Sequence, residues 1–226
     1  MKAELLVMAL ARPAIALHNV FGKTMNWAAN DSVDFDADHV TDFALYRGRS
    51  PADALWYAPG TAGTGPFQIY FGATSDVPVP GDYDGDGKTD AVIYRPSTGL
   101  WYGPRTGAAQ IVIQMVLGQP GDIPIPGDYD GDLKADSVIF RPSTGLWYGP
   151  RTGVTQIVIQ MILGQNGDVP IPGYYDSNLA TDPAIFRASS GLWFSALSGG
   201  GTRSIAGMGT PGDVPIQKRP ALAGGK

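Results

Sequence analysis

The chain repeats itself. Starting at Gly81 it reads GDYDGDGKTDAVIYRPSTGLWYGPRTGAAQIVIQMVLGQPGDIPIP, and starting at Gly127 it reads GDYDGDLKADSVIFRPSTGLWYGPRTGVTQIVIQMILGQNGDVPIP, a period of 46 residues. A third copy starts at Gly173 and a looser, earlier one at Val33. A period of this length with several strand signals per unit points to stacked multi-stranded sheets, as in a β-propeller. Each unit holds four such signals: DVPVP or its variants, AVIYR or SVIFR, LWYG or LWFS, and QIVIQM. All are short, rich in β-branched or aromatic residues, and bounded by Gly, Pro, Ser or Asp. The 31 Gly and 19 Pro fit many short strands joined by turns. A hydrophobic content of 43% excludes a disordered chain.

The prolines order the strands. Pro78 and Pro80 lie two apart, as do Pro124 and Pro126, and Pro170 and Pro172. Residues two apart in a strand point their amides to the same side, and proline has no amide hydrogen. One side of each of these strands therefore cannot pair, which places them at a sheet edge. In a propeller that edge is the innermost one. The units divide as residues 33–80, 81–126, 127–172 and 173–217. DVPIQ at 213–217 opens a fifth. Residues 1–26 and 213–226 are expected to close it, with NWAANDSV as the inner strand of the first complete blade. The expected fold is thus an all-β, five-bladed propeller forming a single domain over residues 1–226.

Between the first and second strand signals lies an acidic loop. All 21 acidic residues except Glu4 are aspartate, a residue that favours caps, turns and metal loops over helix interiors. In the second unit Asp82, Asp84, Asp86 and Asp90 crowd into nine residues with Gly85 and Gly87. Carboxylates so close repel one another, and a hard cation with many oxygen ligands removes the repulsion. Ca²⁺ suits that description. An EF-hand does not, because position 12 counted from Asp82 is Ile93, inside a strand signal. Metal-free Asx-turns, with the carboxylates capping backbone amides, are the alternative.

The pattern D-x-D-x-D-G-x-x-D between two strands, in a propeller-length repeat, resembles the FG-GAP/VCBS repeats of integrin-like propellers and of bacterial surface and secreted proteins. The resemblance covers about residues 33–217. It implies Ca²⁺ held between the first two strands of a blade, in a propeller that mediates binding. Asp82, Asp84, Asp86 and Asp90 match in full. Asp128, Asp130, Asp132 and Asp136 match in carboxylates, with Leu133 in the glycine position. Asp34, Asp36, Asp38 and Asp42 also match, with His39 there. The fourth loop departs most: Tyr174 replaces the first Asp, leaving Asp176, Asn178 and Asp182, so little or no Ca²⁺ is expected in it.

Two further residues recur in every unit. Arg47, Arg95, Arg141 and Arg187 end the second strand. They could form a ring for an acidic ligand, but pairing with Asp76, Asp122, Asp168 or Asp213 is the simpler expectation. Trp56, Trp101, Trp147 and Trp193 open the third strand. Exposed, they would stack on sugars as in propeller lectins, which the chain resembles only in period and aromatic content. Buried, they would pack between blades. Gln110, Gln114, Gln156 and Gln160 alternate with apolar residues in the fourth strand, as on the wet side of an outer strand. Arg105 and Arg151 recur only in the two nearly identical units.

Enzyme chemistry is disfavoured. The only histidines are His18 and His39, and no phosphate loop, nucleophile elbow or paired glutamates appear. Paired aspartates stand in every unit, which suits a framework more than one catalytic cleft. A net charge of −5 with scattered basic residues gives no nucleic-acid footprint. No apolar run reaches the length of a membrane span. The absence of cysteine excludes disulfides and thiolate metal sites. MKAELLVMALARPAIA mimics a signal peptide, but Glu4 and Arg12 spoil the match, so the segment is expected to be part of the fold. Millimolar extracellular Ca²⁺ fits a secreted or cell-surface location. The expected function is a monomeric, non-catalytic adhesion or binding module that recognises a protein or a surface glycan. A lectin, or a structural or accessory domain of a secreted hydrolase, stands as the alternative.

Overall fold

The computed structural model describes residues 17–18, 24–25, 33–38, 41–59, 65–152 and 156–215. Among them there is no helix, and so none long and apolar enough to cross a membrane. Two short strands, β1 (Leu17–His18) and β2 (Thr24–Met25), pair as an antiparallel hairpin. Four larger antiparallel sheets follow, one per repeat unit.

The first large sheet has three strands, β3 (Leu45–Ser50), β4 (Asp53–Ala58) and β5 (Phe67–Tyr70), in that order. The second has four: β6 (Val77–Pro78), β7 (Ile93–Arg95), β8 (Leu100–Pro104) and β9 (Ile111–Val116). The third repeats this with β10 (Ile123–Pro124), β11 (Ile139–Arg141), β12 (Leu146–Pro150) and β13 (Ile157–Ile162). The fourth has β14 (Val169–Pro170), β15 (Ala184–Arg187), β16 (Leu192–Ala196) and β17 (Thr202–Ile205). Each unit thus forms a meander of sequence-adjacent strands. The proline strands β6, β10 and β14 all lie at a sheet edge, as their missing amides require. Beyond each proline the pairing continues, with the amides of Val79, Ile125 and Ile171 donating to Val92, Val138 and Ala184.

Strand alternation decides what each sheet buries. In β8 and β12 the pattern puts Trp101 and Trp147 on one face and the following tyrosines on the other. The buried clusters run from each sheet to the next. Trp101 and Ile113 pack with Ile139 of the third sheet, and Trp147 and Ile159 pack with Ile185 of the fourth. Trp56 of the first sheet packs with Ala91 and Ile93 of the second. Consecutive sheets are therefore held face against face by apolar burial, the main favourable term in such packing. Gln110, Gln114, Gln156 and Gln160 are exposed, on or beside the outer strands β9 and β13.

The inner strand expected from NWAANDSV lies outside the described residues except for Val33. The closing blade expected from residues 1–26 and 213–226 lies outside them too, apart from β1, β2 and residues 213–215.

Candidate metal centre

The acidic loops connect the first two strands of the second, third and fourth sheets, between β6 and β7, β10 and β11, and β14 and β15. Each is pinched shut by a bridge between its ends, Gly81 to Asp90, Gly127 to Asp136 and Gly173 to Asp182. In the first unit the amide of Asp42 donates to Val33 O at 2.6 Å. Two backbone reversals inside the loop turn the carboxylates inward. Gly85 and Gly87 have φ of 79° and 84°, and Gly131 and Leu133 follow with 80° and 68°. Glycine adopts this left-handed region without cost, whereas Leu133 does not.

Local amides organise the carboxylates. Asp82 Oδ1 accepts from the amides of Gly85 and Asp86, and its Oδ2 from Gly87. Asp84 Oδ1 accepts from Asp86, and Asp86 Oδ1 from Lys88. The third unit repeats all five contacts on Asp128, Asp130 and Asp132. The closing aspartate has a different task. Asp90 Oδ2 accepts from the Tyr83 amide at 3.0 Å, and its Oδ1 from the Thr106 amide at 2.8 Å, in the turn between β8 and β9. Asp136 does the same with Tyr129 and Thr152, and Asp182 with Tyr175 and Ser198. These aspartates clamp the loop to the hairpin beside it. Burial pushes the carboxyls of Asp90 and Asp136 up to about 7 against the pull of those amides.

Three groups of carboxylate oxygens lie within 4.8 Å of one another: Asp34, Asp36 and Asp42; Asp82, Asp84 and Asp86; Asp128, Asp130 and Asp136. Asp38, Asp90 and Asp132 are the expected ligands outside these groups. The donor set is all carboxylate oxygen, which fits a hard divalent cation. Asp42 adds a second sign of fit, since its Oδ1 is buried and has no hydrogen-bond partner among the described residues. The fourth loop keeps two carboxylates, Asp176 and Asp182. The neutral Asn178 stands where the third loop has Asp132: Ser198 Oγ donates to the Asp182 carboxylate at 2.6 Å and hydrogen-bonds Asn178.

Two residues left without a role by the sequence reading belong to this site. Arg105 reaches over from the end of β8 to Asp84 at 2.7 Å and Asp86 at 3.1 Å. Arg151 does the same at 2.8 Å from Asp130 and 2.9 Å from Asp132. The signal in the sequence was their equal spacing from the two complete loops. The hydroxyls of Thr106 and Thr152, which donate to Thr89 O and Ala135 O, were missed as well.

The loops are also tied to one another. The amide of Thr89 donates to Asp34 O at 2.7 Å, that of Ala135 to Asp82 O at 2.7 Å, and that of Thr181 to Asp128 O at 2.5 Å. Four acidic loops thus form one continuous row across the four sheets.

At the opposite end of the sheets the recurring arginines are ion-paired. Arg95, Arg141 and Arg187 each hold a buried aspartate, Asp76, Asp122 and Asp168, with two hydrogen bonds of 2.7–2.8 Å. The simpler expectation therefore describes these three. Arg47 is exposed, and Asp213 instead accepts from Thr210.

The tryptophans separate into two kinds. Trp56, Trp101 and Trp147 are buried, and their indole N–H groups donate to Phe71 O, Leu117 O and Leu163 O. As sugar-stacking residues these three are corrected to core residues, because each is covered by the next sheet. Trp193 differs. It is half-buried and lines an open groove of about 240 Å³ with Tyr175, Phe194, Arg203 and Met208.

Comparison with protein-family models, with curated proteins and with solved structures finds no match to this chain. The likeness to FG-GAP/VCBS repeats therefore rests on the loop pattern and the period alone.

Proposed function

We infer that the chain is a non-catalytic, calcium-stabilised binding module that works outside the cell. Its four sheets are read as consecutive blades of a five-bladed propeller, the fifth completed by the terminal segments. The observation that carries this reading is the row of acidic loops, set at the same place in successive sheets and joined carbonyl to amide. A cation in such a row has a structural task. It neutralises three or four carboxylates that otherwise repel, and it fixes loops that each touch the next sheet. The candidate holders are Asp34, Asp36, Asp38 and Asp42, then Asp82, Asp84, Asp86 and Asp90, then Asp128, Asp130, Asp132 and Asp136. Bound Ca²⁺ supplies charge neutralisation and coordination there, and the loops present the recognition surface for a protein or surface glycan. The test is thermal unfolding in EDTA and in millimolar Ca²⁺. A higher Tm in Ca²⁺, with Mg²⁺ much less effective, supports the reading, and equal Tm values refute it.

A lectin is the second reading, favoured by one observation. Trp193 keeps part of its ring open beside Tyr175 and Arg203, so an aromatic face and polar donors meet in one groove. Retention on a glycan array that is lost in Trp193→Ala supports it. Failure of the native chain on a broad array removes it.

A further inference from the structure

We propose that Arg105 and Arg151 are built-in competitors for the cation. Each guanidinium spans two carboxylates of its loop, and it must leave for the ion to bind. The inference rests on the calcium reading above and concerns how the second and third loops are gated.

Oxygen bookkeeping in the second loop carries the argument. Asp82, Asp84 and Asp86 offer six carboxylate oxygens. Loop amides occupy both oxygens of Asp82 and the Oδ1 atoms of Asp84 and Asp86. Arg105 holds the two that remain, Asp84 Oδ2 and Asp86 Oδ2. The third loop has the same division, with Arg151 on Asp130 Oδ2 and Asp132 Oδ2. The two oxygens in each loop that no loop amide holds are the ones most open to an incoming ion, and each is already paired with a positive charge. A divalent ion and a guanidinium on the same carboxylates repel each other.

The fourth loop gives an internal comparison. One period after Arg151 stands Leu197, one period after Asp132 stands Asn178, and one period after Asp128 stands Tyr174. The arginine is lost together with one of the two carboxylates it would hold, since Asn178 takes the place of Asp132 while Asp176 keeps that of Asp130. The side chains of Arg105 and Arg151 are 40% exposed, so each has open water to swing into when displaced. The pairs are therefore of the weak, solvent-screened kind that an ion of higher charge can break.

Calorimetric titration of the full, EDTA-stripped chain with CaCl₂ tests the proposal. Arg105→Met keeps the aliphatic stem and removes the charge. It should tighten binding at the second loop about 3- to 10-fold, the gain from deleting one or two exposed ion pairs. Arg105→Lys should fall between it and the native protein. A second readout is the arginine Nε–H signals in solution NMR. Ca²⁺ should shift those of Arg105 and Arg151 and leave those of Arg95, Arg141 and Arg187 in place. Unchanged or weaker Ca²⁺ binding by Arg105→Met, beside a native protein that binds, overturns the competition and leaves the calcium reading standing. No Ca²⁺ binding by either protein overturns both.

Discussion

The amide of Ala135 donates to the carbonyl of Asp82 at 2.7 Å, so the third acidic loop is fastened to the first aspartate of the second. Successive loops approach closely enough to forbid a side chain at Gly81 and Gly127, the glycines that open the second and third. A Cβ at Gly127 would meet Thr181 Oγ1 at 2.9 Å and Tyr129 Cε2 at 3.2 Å, and one at Gly81 would meet the Ala135 methyl at 2.9 Å. Gly127→Ala should therefore destabilise the protein by about 1–3 kcal/mol, the usual cost of overpacking. Urea unfolding of the variant measures it. An unchanged midpoint would show that the loops are not packed as tightly as their hydrogen bonds imply.

Position six of the loop offers the opposite change. Leu133 sits at φ 68°, where the second loop has Gly87 at 84°. Its side chain is 58% exposed, so little packing is lost by removing it. A left-handed non-glycine residue costs roughly 1–2 kcal/mol, and glycine returns part of that as chain entropy in the unfolded state. Leu133→Gly should stabilise by a net ~0.5–1 kcal/mol, seen as a higher denaturant midpoint at unchanged slope. Leu179→Gly, also at φ 68°, should act in the same direction.

Much of this architecture is legible in the sequence because it is periodic. The period gives one sheet per unit, and the paired prolines give the edge strand, since a missing amide has one structural consequence. The grouping of Asp82, Asp84 and Asp86 is legible for the same local reason: alternate residues in a tight loop face one point. What is not legible joins separate segments. Nothing within GDYDGDGKTD reveals that Arg105 holds two of its carboxylates, or that the Thr106 amide takes Asp90 away to the hairpin. Nor does the repeat say which face of LWYG meets the next sheet, and that decides whether a tryptophan is a core residue or a binding surface.

The two kinds of tryptophan should behave differently. Trp147 is fully buried, and its ring lies 5.4 Å from that of Phe140. Trp147→Ala should cost about 3–5 kcal/mol, as large aromatic truncations in a core do. Trp193, half-buried at the groove, should cost clearly less on truncation. Equal losses of Tm in the two variants would mean that the groove is covered in solution. A near-native Trp147→Ala would contradict the sheet-to-sheet core.

Acidity should act on the metal-free protein in a set direction. Asp90 and Asp136 have carboxyls raised to about 7 in the fold, from an ordinary value of 3.8. Between those two values the folded chain binds more protons than the unfolded one. Stability from these groups is therefore fully present below about pH 4 and is lost as pH rises through about 7. Thr106 and Thr152 keep their amides on these carboxylates, so ionisation leaves charge buried beside amides that only partly offset it. In EDTA, these two groups should make Tm fall between about pH 4 and pH 7, most steeply around pH 5 to 6, and level off above 7. Asp90→Asn removes one of the two ionisations and should flatten the profile by about half, while keeping an oxygen to accept the Thr106 amide. Ca²⁺ should flatten it too, because a bound cation favours the ionised form, and binding at pH 7 should release protons. Thermal unfolding across that pH range, with and without Ca²⁺, measures all three effects. A Tm that rises with pH in EDTA, in the native chain but not in Asp90→Asn, would show that these aspartates are ionised at no cost in the fold.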